Sequence, residues 1–316
     1  MTFAIGTFAV DGTAFPGLVV GDRVYPIADL IPGLPSTGAL LSDWATNFTI
    51  LNSAVSADAA LRSARSWGLD EVATLPPVQP LGQLFAAGAN YREHVIQMTV
   101  ANRLGKDGAT DDELREEAGR EIDERARTGQ PYAFTGVSSS ICGAFDDVIL
   151  PEVGTDHDWE IELGAIIGRE ARNVPVTDAM DYVAGYTICN DLTTRSLVQR
   201  KDIPMMGTDW LRSKNQPTFY PTGPYLVPAA FVNPRDLTLT LRLNGTTMQN
   251  GPTEDMIFDV AALVAYISTL VTLKPGDMII TGSPAGNGSH WGRFLQSGDV
   301  MEAEITGLGL QRNLVR

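Results

Sequence analysis

The sequence predicts an α+β chain that is mostly β and divided in two. Three observations predict it. Residues 1–75 read as short strands and turns. The segment Leu75-Pro76-Pro77-Val78-Gln79-Pro80 is a proline-rich joint, since proline breaks helix and sheet alike. From residue 131 onward strand patterns dominate. At ~150 residues per domain, 316 residues suggest two domains, or one large one with an appendage. We place a small N-terminal α+β domain at residues 1–78 and a larger domain at 79–316.

Phe3, Ile5 and Phe8 open the chain. Leu18 to Ile27 reads as two strands around the Gly21-Asp22 turn. A helical stretch follows around Ser53–Trp67. After the joint, residues 101–130 change texture. Thr110-Asp111-Asp112-Glu113 reads as a helix start, with acids in the first turn to suit the helix dipole. Leu114, Ala118 and Ile122 then recur every four residues as a thin apolar stripe, and the rest is Glu, Asp and Arg. Such a segment is either a solvated surface helix or a mobile lid over a site. Val148 to Pro151 ends one strand, and Trp159 to Gly168 is another. Leu237 to Leu243 alternates apolar and polar residues into Asn244-Gly245, a hairpin signal. Met256 to Leu270 reads as a helix with a broad apolar face. Lys274 to Asp277 is a turn before the buried strand Met278-Ile279-Ile280. The same grammar returns at Ser297-Gly298-Asp299 and Val300 to Ile305.

Composition narrows the function. Apolar residues are 44% and charged residues 19%, which suits a folded core. Acidic residues number 38 and basic ones 23, a net charge of −15. That balance repels nucleic acid and anionic membranes, and it suits a local site for a divalent cation. The longest apolar run is far below the ~20 residues of a membrane span. Residues 1–30 lack the basic start and apolar stretch of a secretory signal. Two cysteines, Cys142 and Cys189, make no disulfide framework, so a cytoplasmic location is expected. Zinc spacings, Gly-x-Ser-x-Gly, the P-loop and Gly-x-Gly-x-x-Gly are all absent from the sequence.

The residues with most chemical promise lie in Asp156-His157-Asp158-Trp159-Glu160-Ile161-Glu162-Leu163. On a strand Glu160 and Glu162 project to one side, with Ile161 and Leu163 on the other. Two carboxylates that close repel each other unless a cation sits between them, and oxygen ligands suit Mg²⁺, Mn²⁺ or Ca²⁺. Glu-x-Glu on a strand is also what a solvated face looks like. Asp191, after the apolar stretch Asp181 to Cys189, is a plausible third oxygen ligand. Thr281-Gly282-Ser283-Pro284-Ala285-Gly286 follows a buried strand. It is either an ordinary Gly/Pro turn or a loop that presents hydroxyls and N–H groups to an anion. His94 lies just past the joint, His157 lies beside the acidic strand, and His290 sits in a Gly-rich loop where exposure is the default.

Together these pieces resemble the fumarylacetoacetate hydrolase family, in its acylpyruvase-like branch. The resemblance runs over about residues 80–316 and rests on motifs in family order. Gly88-Ala89-Asn90-Tyr91-Arg92-Glu93-His94 comes first, then Asp158 to Leu163, then Gly185 to Arg195 through Asn190-Asp191. Lys214 with Pro221-Thr222-Gly223-Pro224 follows, then Asn244-Gly245 and Asp255-Met256-Ile257-Phe258. Pro275-Gly276-Asp277 with Thr281 to Gly286, and Ser297-Gly298-Asp299, close the series. Residues 1–75 resemble the small N-terminal domain many members carry.

The resemblance implies a mixed β-roll or sandwich with few helices, usually as a homodimer, with a helical lid insertion near 101–130. It implies that Glu160, Glu162 and Asp191 hold Mg²⁺ or Mn²⁺, that Lys214 contacts substrate beside the metal, and that His94 is the water-activating base. Tyr91, Arg195, Thr281 and Ser283 are the substrate-binding residues it suggests. Family substrates are mostly acylpyruvates and related 1,3-dicarbonyl acids. The expected reaction is hydrolysis of a C–C bond: His94 deprotonates a water that adds to the distal carbonyl, and a pyruvate enolate leaves. That enolate is a poor leaving group, so its charge needs the cation and Lys214. A decarboxylase of an oxaloacetate-like acid, or an isomerase or hydratase of an unsaturated 2-oxo acid, needs the same stabilisation without the water, and is the alternative. A metal-binding homologue without catalysis is a third reading, against which His94 and Lys214 argue.

The chain departs from the family pattern in four places. Gln97 stands where many members have a Glu one turn from the His; its amide oxygen can accept a bond from a ring N–H but adds no charge. Residues 133–137 lack a lysine common there. Gln199 comes one place late after Arg195. Asn215-Gln216-Pro217 follows Lys214 where an acid often stands.

Overall fold

The strand Ile161–Ile167 is buried along its whole length, and its alternate residues enter two different cores. Ile161, Leu163, Ala165 and Ile167 join one apolar cluster, and Ile166 joins the other. Its neighbour Met278–Ile280 divides in the same way, with Ile279 in the first cluster and Met278 and Ile280 in the second. A sheet whose alternate residues are apolar on both faces needs cover on both sides. The fold, seen in a computed structural model, provides it; residues 2–57, 61, 64–105 and 107–316 are described.

The central sheet is mixed. Its order is Tyr132–Gly136, Leu84–Gly88, Met278–Ile280, Ile161–Ile167, Val183–Asn190, Tyr220–Thr222 and Ile141–Gly143, with Val227–Pro228 also against Val183–Asn190. One face packs on a four-stranded antiparallel sheet, Thr246–Pro252, Thr238–Leu243, Val300–Ile305 and Gly309–Leu314. Leu239, Leu241, Leu243, Met301, Ala303 and Ile305 of that sheet alternate into the first cluster. Each such side chain contributes about 1.5–3 kcal/mol by leaving water. The other face meets the N-terminal residues: Ile5, Leu18, Leu40, Leu41 and Leu51 share the second cluster with Ile166 and Ile280. Backbone hydrogen bonds join Ile5 and Leu226 in both directions, at 2.9 and 2.8 Å.

The Asn244-Gly245 hairpin forms as expected, both residues having the positive φ that its tight turn requires, 52° and 81°. The strand expected at Trp159 to Gly168 runs over Ile161–Ile167. Other boundaries differ. The helix expected around Ser53–Trp67 is Trp44–Ala57, where Asn47, Leu51 and Val55 make the buried stripe and the Trp44 and Phe48 rings meet at a tilt. Trp67 instead pairs with Val24 in a strand, and residues 58–60, 62 and 63 of the expected helix lie outside the described residues. The helix expected from Met256 begins at Val260, because the Asp259 side chain accepts from Ala262 N and caps it. Val148 makes a single bridge to Val315, so Val148 to Pro151 is not the end of a strand.

Two helices cross one end of the central sheet, Arg92–Ala101 and Asp111–Thr128. Thr110 and Glu113 close a reciprocal capping box at the start of the second. Its stripe is buried, with Ala118 and Ile122 packed on Ile96 of the first helix, while its acidic and basic residues stay exposed apart from the half-buried Glu117 and Arg125. Among the described residues no helix is long and apolar enough to cross a membrane. Both cysteines are buried and free.

Candidate metal centre and active site

Register builds the centre. Ile161 pairs with Asn190 and Glu162 with Cys189, so Glu160 comes opposite Asp191, whose N–H donates to Glu160 O at 2.9 Å. Residues directly opposite on antiparallel strands share a face, as do residues two apart on one strand. Glu160, Glu162 and Asp191 therefore converge: one oxygen from each lies within 4.8 Å of the others. The solvated-face reading of Glu-x-Glu fails here, because the three residues are only 6%, 2% and 1% exposed. Asp191 Oδ1 is buried with no hydrogen-bond partner. An orphaned carboxylate oxygen in an all-oxygen donor set fits a hard divalent cation.

Two cations already balance part of the charge. Lys214 Nζ, on the short helix Trp210–Lys214, donates to Glu160 Oε2 at 2.7 Å and to Asp191 Oδ2 at 2.6 Å. Arg195 donates from Nη2 to Glu160 Oε1 and from Nε to Asp158 Oδ2, both at 2.7 Å. Glu162 accepts from Gly282 N at 2.7 Å. Burial opposes ionisation of all three acids, but Arg195 and Lys214 overcome it at Glu160 and hold that carboxyl well below its usual range. Burial pushes Asp191 up to about 6 against the pull of Lys214. Glu162 is raised further, by burial and by the charges of Asp191 and Glu160. Asp158 shares Arg195, so four buried carboxyl groups face these two cations; with all four ionised two negative charges are in excess, which a divalent ion would offset.

The triad forms the floor of a cavity of about 280 Å³. His94 stands at its wall, its side chain 12% exposed and Nε2 3.9 Å from Glu160 Oε1. Burial lowers its pKa, against the attraction of Glu160, so the ring is neutral near pH 7. The ring's other nitrogen, Nδ1, is buried without a partner.

A buried acidic triad beside a histidine and a lysine now stands on the motifs quoted above, and residues 83–316 match the fumarylacetoacetate hydrolase C-terminal family. The chain belongs to the fumarylacetoacetate hydrolase family. It is 37% identical over 243 residues to a 2,4-didehydro-3-deoxy-L-rhamnonate hydrolase of Sphingomonas sp. strain SKA58, covering 76% of this chain and 75% of that one. It is 32% identical over 300 residues to a mitochondrial oxaloacetate tautomerase of Rattus norvegicus, covering 94% and 85%. The solved structure of maleylpyruvate hydrolase from Sphingobium sp. SYK-6, in complex with manganese(II) and pyruvate, superposes with a TM-score of 0.74. Identity there is 26%, over 99% of this chain and 98% of that one.

This family member brings most of its expected site residues together, but not all. Glu160, Glu162, Asp191, Lys214, Arg195, His94 and Ser283 line the cavity. Tyr91 and Thr281 do not; both are fully buried behind it, with unpartnered hydroxyls. Gln97 does not orient His94: its Oε1 accepts from Gly286 N at 3.1 Å, because the Thr281-to-Gly286 loop passes beside the helix with an N–H to satisfy. Among the described residues, the main charges acting on His94 are those of Glu160, Arg195, Asp158 and Lys214, none of them in the insertion. Nor does the helix Asp111–Thr128 line the cavity; it rests on the His94 helix. His157 is turned to Thr194 Oγ1 at 2.9 Å, away from the triad's donor set, and His290 is exposed against Trp291.

Three polar residues escaped sequence reasoning. Asp158, fully buried, accepts from Arg195, from Ser289 N and Oγ, and from Gly288 N. A Cβ on Gly288 would lie 2.7 Å from Asp158 Oδ1 and 2.3 Å from Arg293 O, so the approach requires glycine. Asn90 donates to Phe258 O and Thr281 O and accepts from Phe258 N, tying three segments together under the cavity. Gln249 donates to Ser283 Oγ at 2.8 Å and accepts from Ile161 N at 3.1 Å. Asp158 carried a signal as a third acid in the Glu-x-Glu motif and Asn90 as a member of the motif that ends at His94; Gln249 carried none.

Proposed function

We propose that the chain is a divalent-metal-dependent hydrolase that cleaves a C–C bond in a 1,3-dicarbonyl, acylpyruvate-like acid. One observation carries this reading: an orphaned Asp191 oxygen in a buried three-carboxylate floor, with a neutral His94 on the wall of the same cavity. Glu160, Glu162 and Asp191 would hold Mg²⁺ or Mn²⁺. Such an ion, when bound, supplies Lewis-acid polarisation of the 2-oxo group and stabilisation of an enolate. His94 takes the proton of the attacking water, as a base that burial keeps uncharged. Lys214 stays cationic and meets negative charge developing above the floor. Arg195 fixes Glu160 and is itself fixed by Asp158. The active unit is a homodimer in this reading.

A second reading also has an observation behind it. His94 Nδ1 has no acceptor and Gln97 is engaged elsewhere, so no hydrogen bond at Nδ1 adds to the pull of Glu160 and Asp158, and burial outweighs that pull. A ring of that kind suits proton transfer within the substrate, as in keto–enol exchange or double-bond migration; the rat relative is named as an oxaloacetate tautomerase. Product analysis on acylpyruvates and oxaloacetate, with Mg²⁺ or Mn²⁺ and with chelator, separates the two. Two acids from an acylpyruvate support hydrolysis. Enol loss, double-bond migration or CO₂ without cleavage overturns it.

A further inference from the structure

The far wall of the cavity is built for carbon. Val95 and Met98 face it from the helix Arg92–Ala101, three residues apart and so on one helical side. Leu104 joins them from the connection beyond that helix. Opposite stand Phe134, on the edge strand Tyr132–Gly136, and Trp210, stacked with ring centroids 5.0 Å apart and planes at 19°. The polar atoms on this side are already used. Trp210 Nε1 donates to Tyr132 Oη at 2.6 Å, and Thr99 Oγ1 donates back to Val95 O at 2.9 Å.

Charge gathers at the floor, and Lys214 Nζ also lies 5.4 Å from the Phe134 ring centroid and 5.7 Å from that of Trp210, so this pair borders the floor while the Val95–Met98–Leu104 side stands clear of it. Among the described residues lining the cavity, the cations are Arg195 and Lys214, and each is committed to the carboxylates of the floor. A second carboxylate at the distal end of a substrate would meet carbon and an excess of negative charge. A buried anion without a partner is strongly disfavoured. Distal hydroxyls would equally lose their hydrogen bonds to water.

We infer that the substrate's distal group is apolar, an alkyl or aryl acyl group seated between the Val95–Met98–Leu104 side and the Phe134–Trp210 pair. This rests on the acylpyruvate reading above and specifies it. A cavity of about 280 Å³ is at the small end for ligand sites, so a short branched alkyl or a phenyl group is the size it accommodates. Phe134 stands in the stretch where the family's lysine is missing, so the departure noted in the sequence becomes part of the apolar wall.

The test compares three acids that share a 2,4-dioxo acid head, with methyl, phenyl or a terminal carboxylate at the far end. Turnover and, separately, Mg²⁺-dependent binding by calorimetry are measured. The phenyl compound should exceed the methyl one by about 10-fold or more in affinity and kcat/KM, and the terminal carboxylate should fall below both. Leu104→Arg, at a position 61% exposed and so tolerant of change, should narrow or invert the phenyl-to-carboxylate ratio. Cleavage of all three with the terminal carboxylate preferred overturns this inference and leaves the hydrolase reading standing. Tighter binding of the phenyl acid without cleavage supports the inference and removes the hydrolase reading. Binding of none of the three overturns it.

Discussion

Glu162 carries the least compensated charge of the site. Lys214 and Arg195 engage Glu160, and Lys214 engages Asp191, while Glu162 accepts the Gly282 N–H. Glu162→Gln keeps an oxygen for that N–H and removes the charge. In chelator the variant should be at least as stable as the wild type. The stabilisation that Mg²⁺ or Mn²⁺ gives, about 2.7 kcal/mol at a hundredfold excess over Kd, should vanish. Thermal unfolding with and without the ion checks both; equal shifts in the two proteins would remove Glu162 from the ligand set. Asp191 sets a pH dependence. Its folded pKa, about 6, is raised above the ~3.9 of an unfolded chain. The folded chain therefore holds this proton more tightly. The penalty is absent below the unfolded value, grows as pH rises, and is complete above about 6, on the order of 3 kcal/mol. With chelator present, Asp191→Asn should gain Tm relative to wild type as pH goes from 4 to 7. A constant difference across that range would show that Asp191 is not raised. His94→Ala should lose ~10²–10⁴-fold in hydrolysis and retain cation binding, since His94 is not among the converging carboxylates. Wild-type rates in that variant would leave the base unidentified.

The helix pair above the sheet divides its work. Asp111–Thr128 seats Ala118 and Ile122 on Ile96, Arg92 pairs with Asp123, and Arg125 donates to Ala89 O at 2.7 Å. Through these contacts the insertion positions the helix that carries His94. Ile122→Asp places an unpaired charge in that seam. Hydrogen exchange should rise in residues 92–101 as well as 111–128, and activity should fall. The cation's stabilising effect should persist, because the carboxylates stand on the sheet. Exchange unchanged in 92–101 would mean the two helices are not coupled. Elements of this kind were readable in the sequence where local chemistry decides them. The Thr110–Glu113 cap and the four-residue stripe signal the helix, and Asn244-Gly245 signals its hairpin. The triad was readable because a two-residue spacing and an acid at a strand end both survive without tertiary information. Gln97 was not: its partner, Gly286, lies 189 residues away, and no local rule pairs them. Tyr91 and Thr281 were placed at the site by motif, but the same chain segments turn those side chains into the core behind it. The Trp44–Ala57 helix was displaced in the reading because its stripe is interrupted by polar residues such as Asn47, which the fold buries and bonds to Leu40 O at 2.7 Å.

At the scale of the molecule, the proposed division at residue 78 is one of topology, with a shared core across it. Ile5, Leu18, Leu40, Leu41 and Leu51 cover Ile166, Met278 and Ile280 of the central sheet. A chain of residues 79–316 alone would expose that face, and a contiguous apolar patch of this kind associates or unfolds. It should melt well below the full chain or fail to stay monodisperse, by calorimetry and size-exclusion chromatography. A truncated chain of undiminished Tm would make residues 1–78 an independent appendage. The sheet-rich α+β character was legible from strand spacing, while the division at residue 78 stands as a proposal. The shared core was not, because alternation within one strand names its two faces without naming what covers each.

The pairing of Glu160 with Asp191 depends on a register in which Ile161 faces Asn190. A slip of one residue between these two strands would set Asp191 on the face opposite Glu160 and Glu162 and break the cluster. Ion affinity is thus a signature of correct assembly: a misregistered chain keeps its hydrogen bonds yet offers no triad. Refolding in the presence of the cation becomes a form of proofreading, in which the ion withdraws from the population only those molecules whose strands have aligned.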